Sequence, residues 1–451
     1  MLKRVSTLLA ILPFLASVVI AQEFKVPVEY YKLDNGLKVV LSQDKTAPVV
    51  CVAVYFNIGF RIEPQDRTGF AHLFEHMMFQ GSKNLGKMEY IRLVSENGGV
   101  LNGSTRFDFT NYFTIVPSHK LETMLWAEAD RMKGLDITQE NLVNQQGVVI
   151  NEVKVNVLNR PYGGFPWLEM PQVANENWFN AHNFYGDLKD LEAANLEDVK
   201  SFFDTYYSPN NAALVIVGDF EIAEAKEFIK KYFASIPAGN LPALPDISEP
   251  EQKEMKLKVK EDALATEPAI AFAYHMPESF TPEFFAMGII EQLLVQGKDS
   301  RLYQKFVQEL GLTDNVYGGI NSGLGNMFNY NGPMLFDAYF FYSGEDKTQE
   351  LIKIFDETVS ELSTNLITQE ELDRAIIKLR SSFYDLAGSQ FGLGRADLLA
   401  CFSLFYDNPA LINTLEDSFK KVTPELIKAT AAKYLQKKNL TVLTIDPKGK
   451  N

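Results

Sequence analysis

The sequence predicts an α+β protein made of two homologous α/β rolls, each a mostly antiparallel sheet packed with helices. Three observations lead there. Strand patterns arrive as hairpin neighbours rather than as regular βαβ units. A run from Ile236 to Met255, punctuated by Pro237, Gly239, Pro242, Pro245 and Pro250, interrupts all periodicity and reads as an extended linker. The segments on either side of it begin alike, and a chain of 451 residues is long for a single hydrophobic core.

Taken in order, residues 1–21 read as a secretory signal. Lys3 and Arg4 give a positive start, Leu8 to Ile20 an apolar run, and Val19-Ile20-Ala21 a cleavage site before Gln22. The run is short for a membrane span and no cysteine follows it, so an exported chain is expected, in a bacterial periplasm or secreted. A first domain is expected over 22–236, the linker over 237–256 and a second domain over 257–451. Tyr30 to Leu41 is a hairpin turned by Asp34-Asn35-Gly36, and Val49 to Phe56 follows as an apolar strand. Thr68 to Gln80 reads as a helix. Thr105 to Val116 alternates as one strand, His119 to Met132 reads as a helix, and the stretch from Tyr206 to Asp219 ends in an apolar strand. Arg160-Pro161-Tyr162-Gly163-Gly164 reads as a turn or mobile loop. Beyond the linker, Met255 to Val259 and Ala269 to His275 are strands and Pro282 to Val295 a helix, which repeats the opening of the first half.

Composition narrows the function. The formal charge of −15, which becomes −17 once Lys3 and Arg4 are removed, argues against nucleic acid as a partner. No stretch after the leader is long enough to cross a bilayer. Cys51 and Cys401, far apart in sequence, either pair in an oxidising compartment or are simply buried; they form no zinc site or disulfide scaffold.

The chemistry concentrates in His72-Leu73-Phe74-Glu75-His76. On a helix, positions i and i+4 share a face, so His72 and His76 can grip one metal ion while Glu75 reaches a water beside it. This is the inverted zinc-peptidase pattern. Its neighbours Ala71, Leu73, Phe74, Met77, Met78 and Phe79 are apolar, and polar groups in such a setting need partners. In the second half the corresponding residues are Gly288-Ile289-Ile290-Glu291-Gln292, so only the first half can hold this metal. Catalytic zinc takes three protein ligands and leaves a position open. The best third candidate is Glu152, at the end of a helix starting after Thr138. A glutamate 76 residues after a histidine carries no signal by itself.

The combination does. HLFEH, followed by a helix ending Gly147-Val148-Val149-Ile150-Asn151-Glu152, resembles the pitrilysin or insulinase family of zinc metallopeptidases, which includes the mitochondrial processing peptidase. The likeness extends along most of the chain, through DNGLKVVL, Arg67-Thr68-Gly69, Asn102-Gly103-Ser104-Thr105 and YYSPNNAALVIVGD. It implies that His72, His76 and Glu152 bind Zn²⁺ and that Glu75 is the catalytic base of a peptide-bond hydrolase acting on peptides or unfolded segments. A non-catalytic member serving as a peptide-binding or assembly subunit is the alternative. Many relatives carry a second glutamate two turns before the third ligand. Here that position is Gln145, either a hydrogen-bonding neighbour of the site or a solvated helix residue.

Substrate holding is the remaining question. An extended peptide is expected to add to a sheet edge near Asn102 to Phe107, which makes Asn102, Gly103, Ser104 and Thr105 candidate substrate contacts. An arginine and tyrosine pair from the C-terminal domain often grips substrate in the family. No arginine lies between Arg301 and Arg374, although Tyr317 and Tyr330 are present. The resemblance therefore implies a dimer, with a second copy or with a related zinc-less chain that supplies the clamp. His182 and Tyr185, in AHNFYGD, are expected to be structural.

Overall fold

The structure is a computed structural model that describes residues 25–344 and 346–447. The expected signal at 1–21 lies outside the described residues. The first sheet holds β1 (Glu29–Lys32), β2 (Lys38–Gln43), β3 (Val49–Phe56), β4 (Val100–Thr105), β5 (Thr110–Pro117) and β6 (Ala212–Gly218), in the order β1-β2-β6-β3-β5-β4. The second holds β7 (Lys256–Asp262), β8 (Ala269–His275), β9 (Tyr317–Ile320), β10 (Leu335–Phe341) and β11 (Thr441–Pro447), in the order β7-β11-β8-β10-β9. In each sheet a single parallel pair, β2 with β6 and β7 with β11, sits among antiparallel ones. Removing β1 leaves two sheets of the same order and sense. The two halves therefore repeat one roll, and Ile236 to Met255 runs between them without regular structure.

The main helices are α1 (Phe70–Met77), α2 (Leu121–Lys133), α3 (Gln139–Val153), α4 (Leu196–Tyr206) and α5 (Ile222–Phe233) in the first half. The second half has α6 (Pro282–Leu294), α7 (Thr348–Thr364), α8 (Gln369–Gly388), α9 (Leu393–Tyr406) and α10 (Pro424–Tyr434). Successive strand residues point to opposite faces, so a strand buried on both sides is apolar throughout. Val50, Val52, Val54 and Phe56 of β3 join the core under α1 to α5. Their alternates Cys51, Ala53 and Tyr55 join a different core, which contains Ala396, Leu399, Cys401 and Phe402 of α9. The second half thus covers the far face of the first sheet.

The arrangement is reciprocal. Ile270, Phe272 and Tyr274 of β8 pack with α6, α7 and α10, while Ala269, Ala271 and Ala273 pack against Phe165, Met170 and Ala174 from the first half. Each half covers one face of the other's sheet.

One expectation needs correcting, and at three other places the structure decides what the sequence left open. Thr105 to Val116 is not one strand. The chain turns over Arg106 to Phe109, where Arg106 N donates to Phe109 O at 2.8 Å, and the side chains of this turn are in demand elsewhere. Asp108 accepts from buried Arg61 at 2.6 and 3.2 Å and from Asn331 N at 2.7 Å, so its place is fixed by partners distant in sequence. The Arg160 to Gly164 turn is tethered rather than free, because Tyr162 N donates to Asp262 and its hydroxyl to Glu267 O, each at 2.8 Å. Cys51 and Cys401 are unpaired and buried. Tyr330 is buried in the second-half core, while Tyr317 is exposed on β9.

Candidate metal centre

Helix α1 begins at Gly69, whose φ of +80° suits a residue without Cβ. Its first free N–H groups meet a buried carboxylate. Glu63 accepts from Gly69 N at 2.9 Å and Ala71 N at 2.5 Å, which places negative charge where the helix dipole favours it. The helix then presents His72 and His76 on one face, with Nε2 atoms 3.3 Å apart. Helix α3, capped by Thr138, carries Glu152 to the same point and widens over Lys154–Leu158 just beyond it. Glu152 Oε2 stands 3.4 Å from His76 Nε2 and 3.7 Å from His72 Nε2.

These distances suit a cation. Donors held about 2.0–2.1 Å from a tetrahedral zinc are separated by roughly 3.4 Å. Among the described residues, His72, His76 and Glu152 form the group whose donor atoms lie close enough to share a metal, all within 4.8 Å of one another. Protonation does not compete strongly with a metal at His72. Burial, then the neighbouring His76, pushes its pKa down to about 3, against the opposing pull of Glu152. Its Nδ1 has no hydrogen-bond partner among the described residues, so its polar engagement is through Nε2. Glu152 is held ionised chiefly by its hydrogen bond with His76.

Glu75 is partly buried one position before His76. Burial raises its pKa, while the Thr105 hydroxyl, which donates to Oε2 at 2.8 Å, and the charges of His76 and Arg106 oppose that rise. A carboxylate tuned upward in this way is suited to accept a proton near neutral pH. Space for it comes from Gly103, where a Cβ would stand 3.1 Å from Glu75 Cγ.

The sequence-predicted substrate residues lie on β4, the edge strand nearest this site. Asn102 is exposed and accepts from Gly103 N at 2.9 Å, and Ser104 bonds Asn111. Thr105 is instead buried and occupied with Glu75. Gln145 is buried on α3, which removes the solvated reading. His182 is structural as expected, stacked on Trp178 with centroids 4.1 Å apart and bonded to Phe60 O. Tyr185 is not merely structural: its hydroxyl donates to Glu152 Oε1 at 3.1 Å. The one signal available in sequence was its place in a segment that resembles a family loop. In the second half, Glu291 remains but the histidine positions are Gly288 and Gln292, and a Cβ on Gly288 would meet Met327 Cε at 2.9 Å.

Comparisons agree with this architecture. Residues 38–161 match the family described as Insulinase (Peptidase family M16), and residues 193–379 match the Peptidase M16 inactive domain. The zinc protease PqqE of Helicobacter pylori is 28% identical over 379 residues, covering 80% of this chain and 81% of that one. The beta subunit of the bovine (Bos taurus) mitochondrial-processing peptidase is 24% identical over 433 residues, covering 92% and 83%. Among solved structures, a protease from Helicobacter pylori superposes with a TM-score of 0.85 at 26% identity, covering 94% of this chain and all of that one.

Proposed function

Because the chain belongs to the insulinase family of peptidases (M16), we propose that it is a zinc-dependent endopeptidase acting on peptides or unfolded segments. The observation that carries this reading is the convergence of His72, His76 and Glu152 beside a base that is itself held by Thr105. His72 Nε2, His76 Nε2 and one Glu152 oxygen would hold the ion. Zinc bound there supplies Lewis acidity, which acidifies water and polarises a carbonyl.

The chain's own residues do the rest. Glu75 takes the proton of the attacking water and passes it to the departing amine as the peptide bond breaks. The free edge of β4, from Asn102 to Thr105, offers main-chain groups to an extended substrate, so recognition rests on backbone more than on side chains. The raised pKa of Glu75 favours the proton transfer.

Glu75→Gln tests the assignment. It should keep the zinc and lower turnover of a quenched peptide by about 10²–10⁴-fold, and a chelator should abolish wild-type turnover. Full activity in the variant, or chelator-resistant cleavage, would refute a metallopeptidase based on Glu75. A purified chain that binds zinc and peptide but cleaves nothing points to the second reading, a peptide-binding subunit. Gln145, neutral where many members of the family carry a glutamate, is the observation that favours it.

Two further parts of the reading concern context. Tyr330 is buried and no arginine lies between Arg301 and Arg374, so a partner chain, identical or zinc-less, is proposed to complete the substrate grip. Export is proposed from Lys3, Arg4 and the apolar run that follows. No helix of the described residues is long and apolar enough to cross a membrane.

A further inference from the structure

We infer that Tyr185 is a positioning residue of the metal centre: its hydroxyl fixes Glu152 as a one-oxygen ligand and ties the helix that carries Glu152 to the helix that carries the histidines. The inference rests on Glu152 being a ligand and adds a role for a residue that touches neither metal nor substrate.

The two oxygens of Glu152 are in different surroundings. Oε2 faces His76 Nε2 at 3.4 Å and His72 Nε2 at 3.7 Å. Oε1 accepts from the Tyr185 hydroxyl at 3.1 Å. A carboxylate can bind a metal through one oxygen or both, and its hydrogen-bond partners decide which. With Oε1 engaged, rotation of the carboxylate toward a two-oxygen mode would cost that bond. One-oxygen binding leaves a zinc site of three protein donors with a position open, the pattern of catalytic sites.

Tyr185 can do this because its own place is fixed. It is 5% exposed, and its ring lies 4.8 Å from Phe184, 5.3 Å from His72 and 6.2 Å from Trp167. Its backbone N–H donates to Asn183 Oδ1 at 2.9 Å. The next residue, Gly186, has φ +67° and lies so close to the start of α1 that a Cβ there would stand 2.3 Å from Gly69 N. Asp187 N then donates to Thr68 Oγ1 at 2.7 Å, and Thr68 Oγ1 to Asp190 at 2.5 Å. The segment from Asn183 to Asp190 is thereby fastened to the N-terminus of α1, and Tyr185 reaches from it to α3. This strut acts on Glu152 from the side opposite its contact with His76, so the carboxylate is held at both oxygens.

Tyr185→Phe removes the hydroxyl and keeps the ring. The readout is metal binding and not turnover: zinc affinity by chelator competition, and the visible absorption of the cobalt-substituted protein. The variant is expected to lose 10–100-fold in zinc affinity and to give a weaker cobalt band, the signature of a coordination number above four. Phe184→Leu, which alters the same aromatic cluster without touching the hydroxyl, is expected to keep the wild-type cobalt band. Wild-type affinity and spectrum in Tyr185→Phe overturn the inference and leave the zinc site standing. The same spectral change in Phe184→Leu also overturns it, by assigning the effect to packing. A wild-type chain that binds neither zinc nor cobalt sinks the metallopeptidase reading itself, and the role of Tyr185 with it.

Discussion

At the scale of single residues, the site depends on how each polar atom is spent. Thr105 illustrates this: its hydroxyl donates to Glu75 Oε2 at 2.8 Å and lowers a pKa that burial raises. Thr105→Val keeps the shape and removes the donor. The Glu75 pKa must then rise, less of it is ionised at a given pH, and the acid limb of the kcat/KM profile moves to higher pH. We expect the limb to move upward and kcat to fall by about 10–100-fold, since a hydrogen bond to a charged group contributes about 1.5–3 kcal/mol. A pH-rate profile of the zinc-loaded variant checks it; an unmoved limb removes Thr105 from the chemistry. His72, Glu75 and His76 were legible in sequence because one helical turn places them together. Glu152 needed a resemblance, as the closeness of α1 and α3 is a tertiary fact. Tyr185 was misread because a tyrosine in a loop has no periodicity to betray its target.

At the scale of elements, the same arrangement of sheet and helix occurs twice and carries the histidine pair once. Sheet order makes α6 the counterpart of α1 and β9 the counterpart of β4, both edge strands. Glu291 corresponds to Glu75, and its Oε1 accepts from Gln296 at 3.1 Å and Ile320 N at 3.4 Å at the wall of a cavity of about 400 Å³. Burial pushes its pKa up to about 7, and that of nearby Asp337 likewise. Below about pH 4.5 the acid is protonated in both folded and unfolded chains. Between there and pH 7 the unfolded chain releases the proton while the folded one keeps it, so stability falls as pH rises and the loss is complete above about 7. Glu291→Gln escapes this. It should be more stable than wild type by roughly 2–3 kcal/mol at pH 8 and lose that advantage at pH 4.5, as urea unfolding at the two pH values would show. A difference independent of pH would mean that Glu291 ionises freely in the fold. The strands flanking these helices, β3 and β8, were legible because both their faces are apolar. The β4–β5 turn was not, because Asp108 is held by Arg61 and Asn331, which no local pattern reveals.

At the scale of the whole molecule, the repeated rolls are not separable bodies. Tyr55 of β3 donates to Asp397 of α9 at 2.9 Å within the core that the two halves share, and residues 165–174 close the far face of the second sheet. The Pro-rich break lies between the two sheets in the chain, yet the reciprocal covering was invisible in sequence, since each strand only announces that both its faces are buried and not by what. This covering connects fold to site through Asp108. Its carboxylate pairs with fully buried Arg61 in the first half and accepts from Asn331 N at 2.7 Å in the second, three residues beyond the threonine that holds Glu75. Asp108→Asn leaves the Arg61 charge buried without a counter-ion, a change that costs about 3–5 kcal/mol. Two consequences should appear together. Unfolding followed by tryptophan fluorescence and by circular dichroism should shift to lower urea as one shared transition, because the halves share a core. At urea concentrations well below that transition, kcat should fall while zinc stays bound, because the turn that displays Thr105 has lost its anchor and the ligands on α1 and α3 have not. Two separate transitions would show that each roll is stable alone, and unchanged kcat would show that the docking of the second half does not reach the base.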